Sequence, residues 1–261
     1  MPQTTQPDLT FLEPTQTWQG VKLFCTTRHG GVGQPPYDTF NLGLGAQDDP
    51  ATVLENRQRL RQRLPGEPAW LAQVHGARVV DADEPVLFAP GQQPPSADAC
   101  VTAQPKRVLA VLTADCLSVV LADQAGSVLG VAHAGWKGLA AGVLEATLLK
   151  MQAKVPRVSD WRAWVGPGIG AQAFQVGQEV RQAFEGQGAE QPGLFLPDSL
   201  VVGKWRADLA GLACWRLQKM GVATIENSGL CTVNDPERRF FSYRRDRVTG
   251  RMATLAWLAP S

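Results

Sequence analysis

The chain has 261 residues and a formal net charge of +1, with no basic tail or block of like charges. This length can bury a substantial core, and the balanced charge argues against a nucleic-acid partner bound through a broad basic surface. No apolar run approaches the roughly 20 residues of a membrane span, and the polar N-terminus lacks the features of a secretory signal. The five cysteines are odd in number and widely spaced, which favours a reduced, cytoplasmic protein without disulfides.

Short apolar runs separated by turn residues predict a set of strands. Two of these runs end at a histidine shortly before a glycine: His75 directly precedes Gly76, and His133 lies two residues before Gly135. The predicted strands cover residues 21–26, 70–75, 98–102, 108–112, 117–121, 128–132, 161–165, 222–225 and 252–258. Residues 81–97 are rich in proline, aspartate and glutamine, which predicts a surface loop that could form a flap.

Helical spacing of apolar residues predicts four helices between these strands. Asp49 followed by Pro50 is a favourable helix start, and Gly221 is a natural residue to follow a helix end. The predicted helices cover residues 50–64, 139–150, 176–184 and 207–220. We expect a polar N-terminal arm over residues 1–19 and one α+β domain over residues 20–261, with mixed β-sheets flanked by helices.

Three residues at predicted junctions of strand and loop, His75, Cys116 and His133, form a candidate metal site. Three nitrogen and sulfur ligands would leave zinc one open coordination position, as in catalytic zinc sites. A second interpretation needs no metal: Cys116 and His133 could form a thiolate–imidazolium pair, with Asp115 as the orienting group. Asp115 would, however, point away from Cys116 on an ideal strand. A buried cysteine with two hydrogen-bonded histidines is the purely structural alternative.

The chain resembles the YfiH family, also called the laccase-domain or polyphenol oxidoreductase family, in several motifs that follow one another in family order. These motifs are Thr27-Arg28-His29-Gly30-Gly31-Val32, Asn41-Leu42-Gly43, Glu55-Asn56-Arg57, Gln73-Val74-His75-Gly76, Ala97-Asp98-Ala99, Thr113-Ala114-Asp115-Cys116, Ala132-His133-Ala134-Gly135-Trp136, Gly166-Pro167 with Ile169-Gly170, Cys231-Thr232, Phe241-Ser242-Tyr243-Arg244-Arg245-Asp246 and Thr249-Gly250-Arg251. They extend over nearly the whole chain, and several unrelated motifs in order are more specific than any one of them.

The resemblance implies a zinc ion held by His75, Cys116 and His133. It implies purine nucleoside phosphorylase activity on adenosine, inosine and methylthioadenosine, and deamination of adenosine to inosine. It also implies a layered α+β fold that is related to that of cysteine hydrolases. The expected partners are then small molecules, namely purine nucleosides and phosphate. The sequence indicates no nucleic acid, membrane or protein partner.

Four further residues are candidates for the substrate site. Arg28, Arg244 and Arg245 carry guanidinium groups that could bind phosphate or ribose, and structural ion pairs are the alternative role. Arg28 adjoins a glycine-rich loop that could approach an anion or could simply be a tight turn. Asp115 or Asn41 could orient or transfer protons, although asparagine in such a loop commonly forms a turn.

Three other functions compete with nucleoside phosphorolysis. Some members of the family are linked to editing of peptidoglycan precursor peptides, an amidase reaction that would use the same cysteine and histidines. A multicopper oxidase needs a cluster of imidazole-bound copper ions in addition to a His₂Cys site. The three histidines of this chain are too few for that cluster within one subunit, so we do not expect this activity. A non-catalytic binding module would need a structural zinc, which normally has four protein ligands.

Overall fold

The computed structural model describes residues 8–89, 91–158, 160–187 and 192–260. Fourteen strands can be identified there: β1 (Phe11–Leu12), β2 (Val21–Thr26), β3 (Pro68–Ala69), β4 (Val79–Asp81), β5 (Ala99–Thr102), β6 (Val108–Thr113), β7 (Leu117–Asp123), β8 (Leu129–Ala134), β9 (Trp161–Val165), β10 (Gln175–Val176), β11 (Phe195–Pro197), β12 (Trp205–Ala207), β13 (Thr224–Asn227) and β14 (Met252–Leu258). Six α-helices accompany them: α1 (Pro50–Arg61), α2 (Trp136–Ala140), α3 (Val143–Lys154), α4 (Gln178–Gln182), α5 (Leu209–Lys219) and α6 (Tyr243–Asp246). No helix in this part of the chain is long and apolar enough to span a membrane.

The strands form two large mixed sheets and one small sheet. The first sheet has the order β1-β2-β14-β6-β3, and the second has the order β13-β9-β7-β8-β5-β4. The small sheet is antiparallel, with the order β10-β12-β11. Parallel pairing occurs between β3 and β6, β4 and β5, and β9 and β13, while the other pairs of the large sheets are antiparallel. This architecture confirms the predicted α+β class with mixed sheets flanked by helices.

The alternation of side chains along a strand explains how the layers stack. In β7, Val120 faces a core shared with the first sheet, where Val111 of β6 packs. Its neighbour Val119 faces the opposite core, against α3 and α5. On the outer face of the first sheet, Leu60 of α1 packs in a third core. The chain crosses from the first sheet to the second between β6 and β7, and this crossing carries Asp115 and Cys116.

Several boundaries agree with the sequence prediction, and others correct it. Strands 21–26, 161–165 and 252–258 are confirmed, and Asp49 caps α1 by accepting hydrogen bonds from the N–H groups of Ala51 and Thr52. The predicted helix 139–150 is confirmed only in part, because Gly142 has a φ of +86° and divides it into the end of α2 and most of α3. The helix predicted at 176–184 is shorter, since α4 ends at Gln182.

The predicted strand 70–75 is also wrong. Pairing with β6 stops at Ala69, and the following segment is a loop in which His75 has a φ of +60°. The Gln73 side chain takes the place of a strand partner, because its amide donates to Leu112 O at 2.8 Å and accepts from Leu112 N at 2.7 Å. The loop therefore lies along the end of β6 through a side chain, without a backbone ladder.

Part of the segment expected to be an arm is attached to the sheets. Strand β1 pairs with β2 at the edge of the first sheet. The Glu226 carboxylate on β13 accepts hydrogen bonds from the N–H groups of Thr15 at 2.6 Å and Gln16 at 3.4 Å. The first seven residues of the expected arm lie outside the described residues.

Candidate metal and catalytic site

The three predicted ligands come together although they lie far apart in sequence. His133 is on β8, Cys116 directly precedes β7, and His75 is in the loop after β3. Their ligand atoms lie within 4.8 Å of one another, and the two imidazole rings meet edge to face with centroids 4.7 Å apart. Zinc bonds of about 2.0–2.3 Å bring ligand atoms within about 4 Å of each other. The donor set therefore fits a zinc ion, around which the ligand atoms would close by less than about 1 Å.

A buried carboxylate, Asp98, holds two of these ligands in place. It is fully buried, and its Oδ1 lies 2.9 Å from His133 Nδ1. The same carboxylate accepts N–H hydrogen bonds from Val74 at 3.2 Å, His75 at 2.8 Å and Gly76 at 2.7 Å. Engagement of His133 Nδ1 by Asp98 leaves Nε2 for the site, as in the carboxylate–histidine–metal arrangement.

The charge states of Cys116 and His133 are coupled. Burial raises the pKa of the Cys116 thiol, but hydrogen bonds to His133 and His75 outweigh burial and bring the pKa down to about 6. Burial lowers the pKa of His133, but hydrogen bonds to Asp98 and Cys116 outweigh it and raise the pKa to about 9. The thiolate that results is the form of cysteine that binds a metal or attacks a substrate.

Gly135 makes room for the thiolate at the start of α2. A Cβ atom at this position would lie 2.7 Å from Cys116 Sγ and 3.4 Å from His75 Cδ2. The φ of Gly135 is −72°, which any residue can adopt. Glycine is therefore needed here for space, and a larger side chain would displace the cysteine or the histidine.

Asp115 contacts other groups than the sequence suggested. Its φ is +98°, a strained value for a non-glycine residue. Its Oδ1 accepts a hydrogen bond from Thr232 Oγ1 at 2.6 Å, and its Oδ2 accepts one from Arg244 N at 2.6 Å. Asp98, and not Asp115, is thus the carboxylate that orients His133. Asp115 instead ties two distant segments to the crossing that carries Cys116.

The side chains of Arg28, Asn41 and Arg245 are engaged inside the protein. Arg28 binds the backbone oxygen and the carboxylate of Asp38, each at 2.8 Å, and stacks over Phe241. Asn41 is fully buried, and its amide contacts Gly43 N, Arg251 N and the Asp48 carboxylate. The guanidinium group of Arg245 is bidentate to Asp246 and also donates to the backbone oxygens of Thr232, Val233 and Phe240.

Arg244 is less completely engaged. Its Nη1 donates to Ala173 O at 3.3 Å and Gln175 O at 3.0 Å, and its guanidinium group lies over the Phe174 ring. No described residue accepts a hydrogen bond from its Nε or Nη2. Of the predicted substrate-binding residues, Arg244 therefore keeps the most capacity to bind an added ligand.

Sequence reasoning did not assign roles to Asp98, Gly135 and Arg251. A signal for Asp98 was present, because an aspartate between two alanines at the start of an apolar strand is costly to bury without partners. No local pattern shows that Gly135 packs against a cysteine 19 positions earlier in the sequence. Arg251 also adjoins this region, because the next residue, Met252, pairs with Thr113 at the end of β6.

Comparison with known proteins identifies the family of this chain. A sequence model of the family described as multi-copper polyphenol oxidoreductase laccase matches residues 22–259. The chain belongs to this family, which is the one that the sequence motifs predicted. Among solved structures, Neisseria meningitidis protein NMB0706 is 43% identical with a TM-score of 0.86, covering 96% of this chain and 99% of that one. YlmD from Geobacillus stearothermophilus is 28% identical with a TM-score of 0.84 and the same coverage, 96% and 99%.

Two relatives carry names that describe an activity. A Pseudomonas aeruginosa protein named purine nucleoside phosphorylase PA4543 is 46% identical over 238 residues, which cover 91% of this chain and 93% of that protein. Purine nucleoside phosphorylase YfiH of Escherichia coli K12 is 44% identical over 243 residues, which cover 92% and 95% of the two chains. The chain is thus similar over most of its length to proteins named for nucleoside phosphorolysis.

Proposed function

We propose that this protein is a zinc-dependent purine nucleoside phosphorylase that acts on adenosine, inosine and methylthioadenosine and also deaminates adenosine. The observation that carries the proposal is the convergence of His75, Cys116 and His133, with ligand atoms within 4.8 Å, in a chain 46% identical to a named purine nucleoside phosphorylase. The substrates are small molecules, in keeping with the names of these relatives.

The donor set favours zinc over the copper chemistry in the family's description. Two imidazoles and one thiolate suit zinc, and three protein ligands leave one position open for a substrate. Among the described residues, these three form the one group of three or more histidine, cysteine and acidic side chains placed to hold a metal. A multicopper oxidase would need a second, imidazole-rich cluster, so we do not propose oxidase activity.

Phosphorolysis breaks the bond between purine N9 and ribose C1′ while a phosphate oxygen forms a new bond to C1′. The base departs with a proton, and the phosphate stabilises the positive charge that develops on the ribose. Zinc, when bound, would supply a Lewis acid beside this reaction. The chain itself positions the site: Asp98 orients His133 and the His75 loop, and Asp115 holds Arg244 close by.

The arginines have different proposed roles. Arg244 would contact phosphate or ribose with the guanidinium nitrogens that no described residue occupies. Arg28 and Arg245 would position the loops that they bind, and Asn41 would hold the backbone of Gly43 and Arg251. Deamination exchanges the C6 amino group of adenosine for oxygen from water. We propose that the Asp115 carboxylate transfers a proton in this reaction, since Asp115 adjoins Cys116 and is 9% exposed.

A second candidate function rests on one specific observation. Asp98, His133 and Cys116 form a carboxylate–imidazole–thiolate series, with the thiol pKa lowered to about 6. This is the arrangement of a cysteine nucleophile with an oriented base. It would suit an amidase that removes an amino acid from a peptidoglycan precursor peptide.

The experiment that separates these functions is chromatography of adenosine incubated with purified, zinc-analysed protein, with and without phosphate. Adenine that forms only with phosphate would support the phosphorylase, and inosine or hypoxanthine would report deamination. No change in either tube, from protein that contains zinc, would refute the proposal. The same sample would then be tested on a muramyl peptide for amide hydrolysis, which needs no phosphate.

A further inference from the structure

Arg251 lies beside the proposed site at the start of β14. Met252, the next residue, pairs with Thr113 at the end of β6. Two residues after Thr113 come Asp115 and then Cys116. Burial lowers the pKa of the Arg251 guanidinium group, and the negative charges of Cys116 and Asp115 act against this shift. The fold therefore brings a cation from the end of the chain to the crossing that carries the reactive thiol.

Internal contacts fix the direction of the Arg251 side chain. Its backbone N–H donates to Asn41 Oδ1 at 2.9 Å, and its Nη1 donates to Thr249 O at 2.8 Å and Gly250 O at 2.9 Å. Its aliphatic part packs on Gly43, where a Cβ would lie 2.6 Å from Arg251 Cγ. These contacts hold one edge of the guanidinium group and leave the other edge without a bound acceptor.

Arg251 is half-buried and lacks the carboxylate partner that several buried and half-buried arginines have. Arg28, Arg216 and Arg245 form ion pairs with Asp38, Glu145 and Asp246, respectively. Among the described residues, no carboxylate lies within ion-pair distance of Arg251, and no group accepts a hydrogen bond from its Nε or Nη2. Arg245 uses this same Nε–Nη2 edge to bind both oxygens of Asp246. The free edge of Arg251 is thus built to bind two oxygens of an anion.

Two buried hydroxyl groups near Arg251 also lack a partner. Thr249 and Thr113 are each 2% exposed, and the described residues provide no hydrogen-bond partner for either side-chain oxygen. Thr249 is two residues before Arg251, and Thr113 is opposite Met252. Buried polar groups are nearly always hydrogen-bonded in native proteins. A ligand with several oxygen atoms would provide acceptors for this group of donors.

We propose that Arg251 binds the phosphate co-substrate through its Nε–Nη2 edge. This inference rests on the proposed phosphorylase function and names the group that holds its inorganic substrate. Planar bidentate binding of an oxyanion is the interaction that arginine makes and lysine does not. The position between Gly43 and the Cys116 crossing would place the phosphate next to the metal ligands and fix its oxygens relative to the ribose.

The test compares R251Q and R251K with R61Q, a control on the outer helix α1 whose side chain is 43% exposed. Phosphorolysis is measured with phosphate varied at saturating inosine, and with inosine varied at saturating phosphate. R251Q is expected to raise the KM for phosphate roughly 10- to 100-fold, the effect of losing a charged bidentate hydrogen bond. The KM for inosine and the zinc content are expected to stay within about twofold, and R251K to recover only part of the loss.

A binding measurement accompanies the kinetics. Inorganic phosphate is expected to raise the Tm of the parent and of R61Q, and to raise that of R251Q much less. If R251Q does not fold, Gly43→Ala provides a second perturbation, because its Cβ would displace the Arg251 side chain. A KM for phosphate equal to the parent's in both R251K and Gly43→Ala would overturn the assignment. A parent enzyme that needs no phosphate would instead refute the proposed function itself.

Discussion

Asp98 lies 2.9 Å from His133 and is the link between the buried and the exposed halves of the candidate site. His133 is 3% exposed, whereas His75 is solvent-exposed in a loop. The Asp98 carboxylate bonds to the ring of one histidine and to the backbone of the other. Burial raises the pKa of Asp98, but hydrogen bonds to His133 and to the loop outweigh burial and lower the pKa. A single charged carboxylate thus sets both the orientation of a ligand and the position of a loop.

Replacement of Asp98 by Asn should weaken metal binding. The amide keeps the size of the carboxylate but loses its charge, and it cannot accept from His133 and three loop N–H groups together. We expect zinc affinity to fall about 10- to 100-fold, as is typical for loss of an outer-shell partner. Competition with a coloured chelator measures this affinity. Asp123→Asn is the matched control, because Asp123 is a buried carboxylate that holds only the Ser127–Val128 turn. An equal loss of affinity in both variants would contradict the role of Asp98.

Gly135→Ala should disturb the site without straining the backbone. The added methyl group would lie 2.7 Å from Cys116 Sγ, which is too close for van der Waals contact. We expect zinc content after purification to fall by more than half while the far-ultraviolet circular dichroism spectrum is unchanged. Gly45→Ala serves as the control, since a Cβ at Gly45 meets no atom within 4 Å. Full zinc content in the Gly135 variant would show that the site can shift to accept the methyl group.

Removal of the metal should make Cys116 selectively reactive. Its pKa of about 6 keeps the thiol ionised at neutral pH, whereas burial raises the pKa of Cys25 to about 11 and that of Cys100 to about 12. After chelation, we expect iodoacetamide to modify Cys116 first, with a rate that rises through about pH 6 and is level by pH 8. Added zinc should protect it. Peptide mass spectrometry locates the modified residue, and a rate that increases only above pH 8 would indicate an ordinary thiol.

Arg245→Gln should affect stability more than catalysis. Arg245 binds Asp246 and three backbone oxygens, so its loss leaves buried acceptors without a donor. We expect the free energy of unfolding to fall by about 2 kcal/mol, measured by denaturant titration. The KM for phosphate should change far less than in R251Q. Arg59→Gln removes an exposed pair with Glu55 on α1 and should cost less than about 0.5 kcal/mol. A large rise in the KM for phosphate in Arg245→Gln would return Arg245 to the substrate site.

Local sequence patterns were sufficient to predict several of the regular elements. The apolar run at the C-terminus predicts β14 to the residue, and Asp49 before Pro50 predicts the start of α1. Both features depend on hydrogen bonds or side-chain alternation within a few residues. The ordered motifs were sufficient for the family and for the three candidate ligands, because each ligand lies in a motif of its own.

The sequence by itself determined the family and named three candidate ligands, and only the tertiary structure decided that these come together and how they are held. The loop of His75 resembled a strand in its local pattern, but two contacts with distant residues determine its structure: the Asp98 carboxylate accepts from its backbone N–H groups, and its own Gln73 side chain bonds to the backbone of Leu112 on β6. The same reason hides the free edge of Arg251: an arginine in a sequence shows its charge, but whether a carboxylate faces it depends on residues brought close by folding. Side-chain hydrogen bonds over long sequence separations leave no periodic pattern, so only the folded chain reveals them.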